Sequence, residues 1–148
     1  MSSIEENKDL MTRYFVELNA VKGDTTKYLD WYDKFINHKA VVHQPIGDWS
    51  SELIKQFGVD SVKNVPDLNY KIEDIVAEGD KVVVRHTLRG THTGEFMGIA
   101  PTGNEFSQML TCIFRIADGK IEEVWWLADT LGLMQQLGAL PPIEEMNK

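Results

Sequence analysis

The sequence predicts an α+β domain, with helices first and antiparallel strands after. Three observations carry that prediction. In the N-terminal part, apolar residues recur at helical spacing behind capping residues, most clearly Leu10, Met11, Tyr14, Phe15 and Leu18. Lys81–Thr91 alternates cleanly, with Val82, Val84, His86 and Leu88 on one face and Val83, Arg85, Thr87 and Arg89 on the other. Residues 106–116 and 120–128 are rich in Ile, Val, Thr, Phe and Trp and flank Ala117-Asp118-Gly119, a strong hairpin signal.

Each element has a local reason. Ser3 and Glu6 fit a capping box that opens the first helix, which ends near Lys22-Gly23. Asp24 or Thr25 caps a second helix holding Tyr28, Leu29, Trp31, Tyr32 and Phe35. Residues 40–44 are short and β-branched and stop at Pro45, the mark of an edge strand. Ser50 or Ser51 starts a third helix through Leu53, Ile54 and Phe57; Gly58 interrupts it and Val65-Pro66-Asp67 ends the segment. Residues 68–77 form a strand that turns at Glu78-Gly79-Asp80 into the alternating one. Residues 90–103 are a glycine- and proline-marked connection. His92 has a turn role there, and Phe96, Met97 and Ile99 suggest a mouth or an interface.

The C-terminal hairpin organises the rest. A tight turn would use Asp118 and Gly119; a three-residue loop would add Ala117 and leave Gly119 left-handed. The choice shifts the register by one residue. The three-residue loop is the reading adopted. It sets Phe106, Gln108, Leu110, Cys112, Phe114, Val124, Trp126 and Ala128 on one inward face, and Ser107, Thr111, Arg115 and Glu123 on the other. Asp129 then opens a short helix that stops at Gly138.

A chain of 148 residues is one domain with room for a sizeable core. Its net charge of −8 argues against nucleic acid and anionic membrane surfaces as partners. One cysteine excludes an intrachain disulfide and a cysteine-based zinc cage. With an acidic, polar start that lacks the pattern of a signal peptide, it points to a reducing, cytoplasmic setting. No apolar run approaches the roughly 20 residues of a membrane span.

Asp129, where strand meets helix, is either an N-cap or a buried carboxylate of raised pKa acting as a base. His86 is either a hydrogen-bonded core residue or an acid/base group near neutral pH. His43 has the same two readings, and both histidines in one pocket would make a proton relay. The three could also form a two-histidine, one-carboxylate metal site, but no local spacing such as HxH or HExxH supports it, and no metal is expected. Cys112 is a small buried hydrophobe, or a nucleophile if a base lies near. Gln108 satisfies a backbone group or orients a ligand carbonyl. Trp126 is a pocket wall or core aromatic, and Tyr14 packs helix to sheet.

Several motifs resemble the SnoaL-like polyketide (ester) cyclases. They are Glu78-Gly79-Asp80-Lys81-Val82-Val83-Val84-Arg85, Gly90-Thr91-His92-Thr93-Gly94-Glu95-Phe96-Met97-Gly98-Ile99, Phe114-Arg115-Ile116 with Asp118-Gly119-Lys120-Ile121, and Trp125 with Asp129, Gly132-Leu133 and Gln136-Leu137-Gly138. The similarity runs from about Leu10 to Gly138. It implies the nuclear-transport-factor-2-like, cystatin-like fold: a cone of curved antiparallel sheet with N-terminal helices covering one face. Characterised cyclases of that family close a ring by an aldol step with no metal or cofactor. They use an aspartate, a histidine on the neighbouring strand and a polar first-strand residue. Those positions fall on Trp126, Cys112 and His43, and a histidine common before the tryptophan is Val124 here. Asp129 matches an aspartate common in the family.

The expectation is therefore a cofactor-free small enzyme acting by proton transfer on an apolar, carbonyl-containing molecule. Asp129, His86 and His43 would be its acid/base residues, and Gln108, Cys112, Trp126, Leu110 and Tyr14 would contact substrate. A non-catalytic small-molecule binder on the same scaffold is the alternative. Superfamily members often dimerise through the sheet, which implies a homodimer or higher homo-oligomer.

Overall fold

The N-terminal helices form where capping chemistry and apolar spacing agree. In the computed structural model, which describes residues 3–146, α1 is Ile4–Asn19, and the Ser3 hydroxyl accepts from the Glu6 N–H. The α2 helix is Thr25–Phe35, and the Asp24 carboxylate accepts from the N–H groups of Thr26 and Lys27. The chain continues through β1 (Ile36–Gln44), β2 (Gly47–Ser50), α3 (Ser51–Asn64), β3 (Asn69–Glu78), β4 (Lys81–Thr91), β5 (Glu105–Ala117), β6 (Lys120–Ala128), α4 (Thr130–Gln136) and α5 (Ile143–Met146).

The strands form one curved open sheet of order β2-β1-β6-β5-β4-β3. It is antiparallel except between β1 and β6, which run parallel. This corrects two expectations. The first strand is longer than residues 40–44, and it is internal rather than an edge. Its hairpin partner β2 takes the edge with only four residues, Gly-Asp-Trp-Ser, too short and polar to read as a strand. The other edge is β3. There the Asn19 amide stands in for a missing strand, accepting from the Tyr70 N–H at 2.7 Å and donating to the Tyr70 carbonyl at 2.8 Å. Gln136 does the same for Ser107, which lies beyond the end of β6, at 2.7 and 2.8 Å.

The β5–β6 turn is not the three-residue loop. Ala117 pairs with Lys120, so the turn is the tight pair Asp118-Gly119, both at positive φ (51° and 73°). The expected faces nevertheless hold. A bulge at Glu122 shifts the register between Ile116–Ile121 and Arg115–Glu123, so Phe114 faces Val124 and Cys112 faces Trp126.

Nor does Gly58 interrupt the third helix, which runs on to Asn64. Gly58 lies against Tyr28, and a Cβ there would sit 1.7 Å from the phenol oxygen. Glycine is present for close packing rather than as a breaker. All three N-terminal helices cover the inner face, where Met11, Tyr32, Phe35, Val82, Val84 and Ile121 are fully buried.

Candidate functional site

The inner face carries two apolar clusters, and the boundary between them is where polar chemistry collects. One cluster centres on Met11, Phe15, Phe35, Val84, Cys112 and Phe114; the other on Leu88, Phe106, Leu110, Leu133 and Leu137. Tyr70 and Trp126, both partly exposed, border both. His86 pairs with Leu110, and Cys112 pairs with Trp126, so the boundary crosses β4, β5 and β6 at these residues.

His86 is 3% exposed, with the Phe15 ring 4.8 Å away and the Tyr70 ring 6.0 Å away. Burial in these apolar surroundings pulls its pKa down to about 4, so the imidazole is neutral at pH 7. Its Nδ1 makes no well-formed hydrogen bond among the described residues, and a backbone contact to Val84 offsets only part of the effect of burial. A buried polar atom left unpaired costs about 1–3 kcal/mol and calls for an explanation.

The Gln44 amide is the second such group. Strand alternation puts it on the inner face with buried Val42. The β1–β6 register, which pairs His43 with Trp125, sets Gln44 beside Trp126 at its next step. Its Nε2 is buried and likewise unpartnered among the described residues. Gln44 was missed in the sequence because it directly precedes Pro45 at a strand end, and His43 next to it drew the polar first-strand role. The alternation of Val42 against His43 is the signal that would have found it.

Around these two groups the walls are aromatic. Trp49 of β2, Phe57 of α3 and Trp126 form a triangle with ring centroids 5.7 to 6.3 Å apart, and all three are partly exposed. Deeper in, Tyr14 packs on Phe15 and Trp31 at 4.7 Å each. Burial pushes the Tyr70 phenol up to about 12 and the Tyr14 phenol well above its ordinary value, so both stay protonated donors. Burial also pushes the Cys112 thiol up to about 12. It is therefore a thiol, not a thiolate, which fits a packing role and not a nucleophile. Gln108 is buried, and its amide is 3.5 Å from the Asp129 carbonyl.

Six of the eight predicted site residues thus share the inner face: His86, Gln108, Leu110, Cys112, Trp126 and Tyr14. The other two do not join them. His43 projects from the outer face, its ring nitrogens 2.8 Å from Asp48 and 2.5 Å from Glu123. Asp129 is exposed and caps α4, its carboxylate accepting from the Gly132 N–H at 2.9 Å. The three groups considered as metal ligands are therefore not together. Among the described residues no set of three or more His, Cys, Asp or Glu is placed to hold a metal. His92 is fully buried in the 90–103 connection, bonded to Thr102 and the Ile99 carbonyl, the turn role expected of it. No described helix is long and apolar enough to cross a membrane.

Known proteins are similar to this chain in sequence and fold. Over 70 residues, 46% of the chain, the sequence is 37% identical to aklanonic acid methyl ester cyclase AcmA of Streptomyces galilaeus. That match spans 49% of AcmA, about half the length of this curated relative. AclR of Streptomyces galilaeus, for which hydroxylase activity has been proposed, superposes with a TM-score of 0.85 at 30% identity, over 98% of this chain and 88% of its own. TsrD of Streptomyces laurentii superposes with a TM-score of 0.78 at 31% identity, over 95% of this chain and 100% of its own. The family model for SnoaL-like polyketide cyclases matches residues 13–137. With that match covering most of its length, the chain belongs to the SnoaL-like polyketide cyclase family, on the nuclear-transport-factor-2-like fold.

Proposed function

We propose that this chain is a cyclase-type enzyme that closes a ring on an apolar, carbonyl-bearing small molecule, such as an aromatic methyl ester, by proton transfer at the inner face. The observation that carries the reading is a pair of buried polar atoms with no partner among the described residues, His86 Nδ1 and Gln44 Nε2, on one apolar face. A bound substrate with two oxygen functions would satisfy both.

The chemistry follows from protonation states. Neutral His86 takes a proton from a carbon flanked by carbonyls through the ring nitrogen that carries no proton. The resulting carbanion attacks a second carbonyl carbon of the same molecule. A new C–C bond forms, the carbonyl π pair moves to its oxygen, and the proton returns from His86 to that alkoxide. Gln44 and the protonated phenols of Tyr14 and Tyr70 are the hydrogen-bond donors this face offers to the substrate's oxygens. Leu110, Cys112, Gln108 and Trp126 shape the pocket. No cofactor enters this scheme. The family's aspartate and strand histidine are replaced by Trp126 and Cys112, so the proton-transfer role passes to His86.

The test is incubation with a panel of aromatic β-dicarbonyl methyl esters, followed by chromatography and mass spectrometry. The expected product has unchanged mass and a new retention time, and it is lost in His86→Gln. The Trp126 and Cys112 replacements favour a second reading, a binding protein without turnover; saturable binding with no product would establish it. A product heavier by one oxygen would instead match the activity proposed for AclR. A homodimer through the outer sheet face belongs to the same proposal and is tested by sedimentation equilibrium.

A further inference from the structure

The group that sequence reasoning assigned to catalysis and the fold turned away from the pocket, His43, has a different use. Its ring lies between two carboxylates from two different strands: Asp48 of β2 on Nδ1 and Glu123 of β6 on Nε2. Other elements contribute to its surroundings. Arg115 of β5 donates to Glu123 at 3.0 Å. The Trp125 ring of β6 flanks the imidazole at 5.3 Å, and Lys81 of β4 lies 5.9 Å over that indole. On β1 itself the outer-face neighbour is Val41, which is uncharged. The imidazole thus ties β2 to β6 across β1, at the parallel pair whose ladder is already broken between Ile36 and Val41.

What it ties down is the hairpin that carries two inner-face side chains. Gln44 follows His43 directly, on the opposite face. Trp49 follows Asp48 and packs on Trp126 and Phe57. We propose that His43 is a positioning residue: bonded to Asp48 and Glu123 as an imidazolium, it clasps the β1–β2 hairpin so that Gln44 and Trp49 face the inner pocket. This rests on the inner face being the ligand site. When the proton leaves, only one ring nitrogen can still donate, so one carboxylate loses its bond and the hairpin is released. The carboxylates raise the His43 pKa above 6.5, Glu123 most and Asp48 next, so the clasp stays closed to higher pH than an ordinary imidazole would allow and opens as pH rises further.

The variant-free test is a pH series of two-dimensional NMR spectra on the whole chain, following the His43 ring, the Trp49 indole N–H and the Gln44 side-chain amide. The expected result is one shared midpoint, above the ordinary imidazole value. In His43→Gln and in Glu123→Gln the Trp49 and Gln44 signals should lose that transition, although the circular dichroism spectrum is unchanged. In parallel, the affinity for 8-anilinonaphthalene-1-sulfonate should weaken about fivefold through the same midpoint. If Trp49 and Gln44 do not move while His43 titrates, the clasp is overturned, whatever the dye does. If they move but Gln44→Leu leaves dye affinity unchanged, the hairpin coupling stands and the pocket assignment fails.

Discussion

The inner face of the sheet buries His86 among Phe15, Tyr70 and Leu110 and leaves its Nδ1 unbonded, whereas the outer face sets His43 between two carboxylates in partial contact with water. The same side chain, three strands away from its counterpart in the sheet order, is pushed in opposite directions. Burial lowers His86 to about 4; the Glu123 and Asp48 hydrogen bonds raise His43. Desolvation therefore governs the imidazole on the inner face, and neighbouring charge governs it on the outer face. A reactive group belongs where water is excluded, and a group that only holds strands together can remain wet.

The largest expected effect comes from the sign difference itself. His86 binds its proton less well folded than unfolded, so stability falls as pH drops from 6.5 toward 4, by about 3 kcal/mol for a shift of that size. Urea unfolding at several pH values should show this slope in the wild type and its loss in His86→Leu. His43 has the opposite sign: its contribution is complete below 6.5 and disappears as pH rises through the raised value.

Next in size is a test of shape. Gly58→Ala forces a Cβ against the Tyr28 oxygen and should cost about 1–3 kcal/mol, part of which Tyr28→Phe restores; thermal unfolding of both variants measures it. A smaller effect separates capping from chemistry at Asp129. Asp129→Ala should lower stability by about 1 kcal/mol, while Asp129→Asn, an equally good cap, leaves it unchanged. Turnover of the methyl ester panel should survive Asp129→Asn. The smallest change is on the outer face: Glu123→Gln should bring the His43 midpoint back toward 6.5 in an NMR titration with little change in melting temperature.

Much of the fold was legible because local signals agreed. Ser3, Asp24 and Ser50 cap the helices as their types predict, and the Lys81–Thr91 alternation matches β4 to the residue. The inner set of β5 and β6 also held, though for a compensated reason: the turn was misread by one residue and the Glu122 bulge restored the register. What sequence could not supply was non-local. The parallel β1–β6 pairing joins segments some 80 residues apart, and it decides that His43 faces outward and Gln44 inward. Polar type and strand membership alone do not say which of these two residues faces inward. Asp129 was ambiguous for a related reason, since only the Gly132 N–H at 2.9 Å distinguishes a cap from a base.

The measurement that tests the central claim most directly is a nitrogen-15 NMR titration of the protein with the tightest-binding methyl ester of the panel. The expected result is that His86 Nδ1 and the Gln44 amide shift together, with one apparent Kd, while the four-histidine spectrum shows no charge appearing on His86 at pH 7. Saturable binding that leaves both signals unmoved would contradict it and would place the ligand elsewhere on the molecule.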